Sequence, residues 1–190
     1  MSAGIFVGLL SAASAASVGC RHRPPEAAVP GPEDTQPVPD PLPRRQVFVL
    51  ESGGGPPEDT VVTVPPEGRI IVIRRGRPDN AVFAQIAVPT GTVPIALTIR
   101  PSPGLYGVTI DATPTLPPGA VLSFSYAVHF VAPAGARERY GSDIGFEREL
   151  TIARVGPDTL VTFLPTKRPG SDYLSAVIPG PGRYAVAAPR

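Results

Sequence analysis

Tryptophan is absent from the 190 residues, cysteine and methionine occur once each, and histidine twice. One cysteine excludes an internal disulfide. From residue 44 onward there is one histidine and no cysteine, so no Cys/His set for structural zinc exists there. Asp143, Asp158 and Asp172 do not sit in a loop of alternating acidic ligands, which argues against a calcium loop. Aromatics make up 6% of the chain, which removes most of the stacking platforms used for sugars. Charge of one sign is not in excess: 17 basic residues face 16 acidic ones, so no global electrostatic case for nucleic acid arises. The glycines near Gly53–Pro57 lack the lysine and following helix of a phosphate loop, and no cofactor is implied. Long helices are excluded too, because 27 prolines recur through nearly the whole chain.

What is present divides into three parts, 1–19, 20–43 and 44–190. Residues 1–19 carry no charged side chain, and their apolar centre, Ile5 to Leu10, gives way to small residues as far as Gly19. That order fits a secretory signal better than a retained span, for which Ser and Gly make it too weakly hydrophobic. Cys20 ends the segment. Residues 21–43 hold eight prolines, with Glu26, Glu33, Asp34 and Asp40 between them, and have no apolar period. Such a chain favours extended polyproline geometry at about 3.1 Å per residue and reads as a tether.

From Arg44 the pattern changes to short runs rich in Val, Ile, Thr, Tyr and Phe, separated by turn chemistry such as Pro117-Pro118-Gly119 and Pro179-Gly180-Pro181-Gly182. Strands are predicted near 47–50, 61–64, 70–74, 82–88, 95–100, 106–110, 121–131, 149–155, 159–164, 174–178 and 183–187. Many short strands without a long helical period predict an all-β, antiparallel β-sandwich. In 121–131, Leu122, Phe124, Tyr126, Val128 and Phe130 alternate with Ser123, Ser125, Ala127 and His129, so one face is expected on the core. A head of this length buries roughly two-thirds of its extended surface and needs no disulfide.

Two resemblances follow from these residues. Gly19-Cys20 after an apolar leader resembles a bacterial lipoprotein signal, with Ser17 where that family usually has Leu. The resemblance implies that Cys20 is acylated and becomes the mature N-terminus, held by membrane lipid. Arg21, in place of a retention-signalling Asp, implies the outer membrane. The stretches Val82–Val93, Ile95–Pro101, Gly107–Pro114, Ala120–Tyr126, Ser175–Ile178 and Gly182–Val186 resemble the β-sandwich domain shared by ankyrins, zonula occludens proteins and netrin receptors, in its bacterial exported form. This implies an interaction or structural module, and the partner expected for it is another envelope protein. Some relatives cleave themselves at His-Phe-Ser. Here His129-Phe130 is followed by Val131, which has no attacking hydroxyl, so that step is not carried over.

The search for other chemistry returns little. Ser125 and His129 would share a face, but four residues of strand span about 13 Å and keep them apart. His129 is expected to stand outward in solvent. Glu147 and Glu149, flanking Arg148, read as solvated charges at a strand edge and not as a glycosidase pair. Arg69, Arg74, Arg75 and Arg77 read as a solvated turn beside Glu67 and Asp79. The expected function is therefore a lipid-anchored, non-catalytic envelope interaction module. The alternative is an accessory envelope hydrolase or carbohydrate-binding protein.

Overall fold

The computed structural model describes residues 40–190; the expected signal segment, Cys20 and most of the expected tether lie outside the described residues. In chain order come β1 (Leu42–Pro43), a 3-10 turn (Arg44–Gln46), β2 (Val47–Val49), β3 (Glu51–Ser52), β4 (Thr60–Val64) and β5 (Arg69–Arg74). Next are β6 (Val82–Val88), β7 (Ile95–Pro101), β8 (Gly107–Thr113), β9 (Val121–Ser125) and β10 (Phe130–Val131). Two short helices follow, α1 (Ala136–Tyr140) and α2 (Asp143–Glu149). The chain continues through β11 (Thr151–Val155), β12 (Leu160–Phe163), β13 (Thr166–Gly170), β14 (Tyr173–Val177) and β15 (Gly182–Pro189).

The strands build an all-β sandwich in which every pairing is antiparallel. The larger sheet runs β1-β12-β11-β15-β8-β7-β4, with β2 also pairing β15. The smaller runs β13-β14-β9-β6-β5. Period-two alternation explains the layering. In β7, Ile95, Leu97 and Ile99 are buried while Ala96 and Arg100 face out. In β9, Leu122 and Phe124 point inward between Val121, Ser123 and Ser125. The inner faces of both sheets merge into one core that includes Phe83, Ile86, Leu97, Ile110, Leu122, Phe124 and Tyr184.

β15 is buried on both faces. Tyr184, Val186 and Ala188 join the main core, whereas Ala185 and Ala187 belong to a second cluster with Val47, Val49, Ala153, Val161 and Phe163. The reason is the segment Leu42–Val49. Its start pairs with β12 (Leu42 opposite Val161) and its end pairs with β15 (Val49 opposite Ala187). It thus links both sides of the β12-β11-β15 unit, and small alanines on β15 leave room for it. Pairing begins two residues ahead of Arg44, where the change in sequence pattern falls.

Two expectations need correction. The long strand over 121–131 stops at Ser125, and the chain bends at 127–129 before β10. Tyr126 donates its amide to Asp172 at 3.0 Å, the last such bond before the bend. His129 then takes φ +70, an unfavourable conformation for a side chain with a Cβ. Leu122, Phe124 and Tyr126 are inward as expected, but Val128 is 45% exposed. The second correction is the helical pair, over residues for which the sequence predicts loop and the start of a strand. Ser142 Oγ caps α2 by accepting from the Gly145 amide at 3.0 Å. Phe146 packs edge-on against Phe48, 6.1 Å between centroids. The 310 and α segments are short, so their apolar period was too brief to read.

Candidate functional site

A cluster of polar side chains gathers where β5 runs into the β5–β6 turn. Arg75 is the one charged residue buried among the described residues, at 3% exposure. Its guanidinium lies 5.2 Å from the Phe83 ring and 5.3 Å from the Tyr106 ring, and those rings stack 5.3 Å apart at 12°. Nη2 donates to Ser52 Oγ at 2.8 Å and Nη1 to the Gly55 carbonyl at 3.1 Å. Nε lies 3.9 Å from Asp79 Oδ2, and the same carboxylate oxygen is 2.7 Å from His129 Nε2. A buried charge is tolerable only when so matched. The solvated-turn reading therefore fails for Arg75, while Arg69, Arg74 and Arg77 are exposed as expected.

Neighbouring segments complete the cluster. Tyr106 donates its hydroxyl to the Val128 carbonyl, and the Gly53 amide donates to the His129 carbonyl at 3.0 Å. Burial raises the Tyr106 pKa above the usual phenol value, with Arg75 opposing the shift. Gly54 must lack a side chain: a Cβ there would meet the His129 ring at 2.7 Å and Arg75 Nη1 at 2.8 Å. His129 is thus not a free outward residue. Its side chain is 31% exposed and oriented by Asp79.

A base oriented by a carboxylate is half of a nucleophilic site. The nearby hydroxyl, Ser52 Oγ, is held by Arg75 instead, and Val131 pairs with Glu51 in the β10–β3 ribbon. Ser125 ends β9 and stands opposite Tyr173, apart from His129. What the cluster does chemically is to tie 52–55, 75–79, Tyr106 and 128–129 into one end of the sandwich.

The other singled-out carboxylates have separate places. Glu147 Oε1 accepts from the Tyr126 hydroxyl at 3.2 Å, and Glu149 is the last residue of α2. Arg168 donates to that hydroxyl at 3.0 Å and also caps α2, reaching the carbonyls of Glu147 at 2.7 Å, Arg148 at 3.0 Å and Leu150 at 2.7 Å. Burial pushes the Tyr126 pKa up to about 12, with Arg168 pulling the other way. Asp143 pairs with Arg137, whose hydrogen bonds hold its carboxyl below the usual carboxylate range. Asp158 accepts from the Leu160 amide at 3.2 Å as a turn residue, and Asp172 accepts from Ser171 Oγ. Among the described residues, no group of three His, Cys, Asp or Glu side chains is placed to hold a metal ion.

Two surfaces stand apart from the cluster. A cleft of about 620 Å³ lies between α1 and Arg190, floored by Phe48, over which the Arg190 guanidinium sits 4.8 Å from the centroid. The second is the outer face of the smaller sheet. There Ile70 stands opposite Ala87, Ala87 opposite Val121, and Val121 opposite Val177, an unbroken apolar row across four strands. Ile70 is 63% and Val177 59% exposed. The adjacent row, Val72, Gln85, Ser123, Ser175 and Lys167, turns polar, with Ser123 Oγ donating to Ser175 Oγ at 3.1 Å. Sequence reasoning passed over this surface, because the row exists only in the register of four strands.

No family model matches the chain, and no curated protein or solved structure matches it. No described helix is long and apolar enough to cross a membrane.

Proposed function

We propose that the chain is a lipid-anchored envelope protein whose β-sandwich head binds another envelope or surface component without catalysis. The observation that carries the binding role is the apolar row Ile70–Ala87–Val121–Val177, exposed at Ile70 and Val177, half-buried at Ala87 and Val121, and bordered by polar residues. A soluble head gains nothing from leaving such a row in water, whereas a partner that covers it gains its apolar area. The anchor rests on sequence: an apolar, small-residue leader ends at the single Cys20, and a proline-rich segment follows directly. Several acyl chains on that residue hold a protein to a bilayer far more firmly than one. The resemblance to the ankyrin, zonula occludens and netrin-receptor sandwich supports an interaction module, and Arg21 supports the outer membrane.

The test has two arms. The full chain with Val121→Asp and Val177→Asp, used as bait on envelope fractions, is expected to lose a partner that wild type captures and that Val93→Asp retains. Capture unchanged by the pair of substitutions removes the face from the function. For the anchor, wild type is expected in the detergent phase of a lipoprotein-processing host and Cys20→Ala in the aqueous phase; equal partition refutes acylation.

One observation favours a second reading, an accessory envelope hydrolase: the His129–Asp79 pair at 2.7 Å. Hydrolysis of any envelope ester, amide or glycoside that disappears in both His129→Gln and Asp79→Asn would replace the first reading.

A further inference from the structure

β4 ends the larger sheet and β5 ends the smaller, and the four residues Pro65–Gly68 join them. The two open edges therefore lie side by side. Among the described residues, no strand pairs with the outer edge of either, apart from the single bridge of Pro57 to Arg75 beyond the end of β5. Unpaired edges are templates for another strand unless something blocks them. Both edges also expose large apolar side chains: Val61 is 78%, Ile70 63% and Val72 41% exposed.

Charge separates the two edges. Glu58 and Asp59 precede β4 and Glu67 follows it, all exposed, while Arg69 and Arg74 bracket β5 and are exposed too. Pairing β5 with another β5 gathers four guanidinium groups on one ribbon with no carboxylate among residues 69–74. Pairing β4 with another β4 gathers acids in the same way. Like charges brought together disfavour both. Cross-pairing does the reverse.

We propose that this chain forms a two-fold dimer in which β4 of each copy adds antiparallel to β5 of the other, joining the larger sheet of one copy to the smaller sheet of its mate. One register matches residues 59–63 with 70–74, and leaves only Val64 beside Arg69 at the turn end. Val61 stands opposite Val72, Thr63 opposite Ile70 and Asp59 opposite Arg74, all on outer faces. Val62 then meets Ile71 and Thr60 meets Ile73, on faces that pack toward the core. A shift by one residue sets outer against inner side chains, and a shift by two sets Asp59 opposite an apolar residue or Val61 opposite Arg74. Because β4 and β5 are adjacent edges, one two-fold axis makes both ribbons at once, as an isologous interface requires. The arginines that protect β5 against itself select β4 as its mate. This dimer does not depend on the binding role proposed above, which is tested at Val121 and Val177 on other strands.

Sedimentation equilibrium of the full chain carrying Cys20→Ala, which removes thiol cross-linking and acylation, tests it. The expected result is a species of twice the 19.7 kDa chain mass. Asp59→Arg and Arg74→Asp are each expected to weaken the dimer by about tenfold or more, since like charges then face each other. The combined variant is expected to restore it. A monomer at every soluble concentration overturns the proposal, as does a double variant that fails to regain the dimer. Register is read separately by mixing Val61→Cys and Val72→Cys chains, whose directly opposed positions, about 4.5–5.5 Å apart in Cα, suit a disulfide. The mixture is expected to cross-link and each chain alone not; equal cross-linking of Val61→Cys alone overturns the register.

Discussion

His129 Nε2 lies 2.7 Å from Asp79 Oδ2, which joins the bend after β9 to the turn after β5 across fifty residues of sequence. Asp79 stands at the same time 3.9 Å from the Nε of buried Arg75. The carboxylate is therefore shared by two basic groups at one end of the sandwich. That end is held by side-chain hydrogen bonds and an ion pair in addition to apolar packing.

Arg75 is the centre of this arrangement, and its loss is expected to be costly. Arg75→Met leaves Ser52 Oγ and the Gly55 carbonyl without their donor and Asp79 with His129 alone, and a drop of about 2–4 kcal/mol in unfolding free energy is expected. Arg75→Lys should recover little, because an ammonium cannot reach Ser52 and Gly55 together while facing two rings. Urea midpoints of the three proteins check this. A lysine variant equal to wild type would show that charge alone suffices.

His129 separates side chain from backbone. His129→Ala gives up the Asp79 contact and keeps a Cβ at φ +70, with an expected cost of about 1 kcal/mol. His129→Gly gives up the same contact but adopts that φ freely, so it should be more stable than the alanine variant by about 1 kcal/mol. Thermal midpoints decide the order, and an alanine variant above glycine would mean that the bend does not hold this conformation in solution.

Alkaline stability should report Tyr126. Its pKa is raised from 10.0 to about 12 in the fold, mainly by burial. The folded chain keeps this proton where the unfolded chain loses it, so stability is complete below about pH 10 and falls as pH rises towards 12. Tyr106 and Tyr184 are raised by burial as well and steepen the same limb. Tyr126→Phe is expected to flatten the decline between about pH 10 and 12 without abolishing it. Identical pH profiles for the two proteins would refute the assignment.

Ala187 probes the closure made by the Leu42–Val49 segment. It is fully buried, with Val49 opposite on one side and Thr151 on the other. Ala187→Leu adds volume where two strands approach, and a loss of about 1–3 kcal/mol is expected. A neutral result in chemical denaturation would mean that residues 42–49 leave this face readily.

Most of the sandwich was legible because period-two alternation is a local signal. Val82–Val88 was read with its observed bounds, and most of the other strands fell within one or two residues. Each such strand carries its own instruction: apolar side chains at every second position must face one way. β13 was missed, since Thr166–Gly170 carries charge and a proline on an edge that buries little. The break after Ser125 was also unreadable, because the alternation runs on to Phe130 and no glycine or proline marks the bend. Only the bonds from the Tyr106 hydroxyl to the Val128 carbonyl and from the Gly53 amide to the His129 carbonyl draw the chain out of the sheet there.

By itself, then, the sequence determined the class of fold and the strands that make it, because side-chain alternation and turn chemistry act between near neighbours. The tertiary structure alone decided which arginine of four is buried, which carboxylate holds His129, and which apolar residues line up across strands. Those depend on register and on contacts between residues such as Ser52, Arg75 and His129. Their energies arise only when distant segments are brought within a few ångströms of one another.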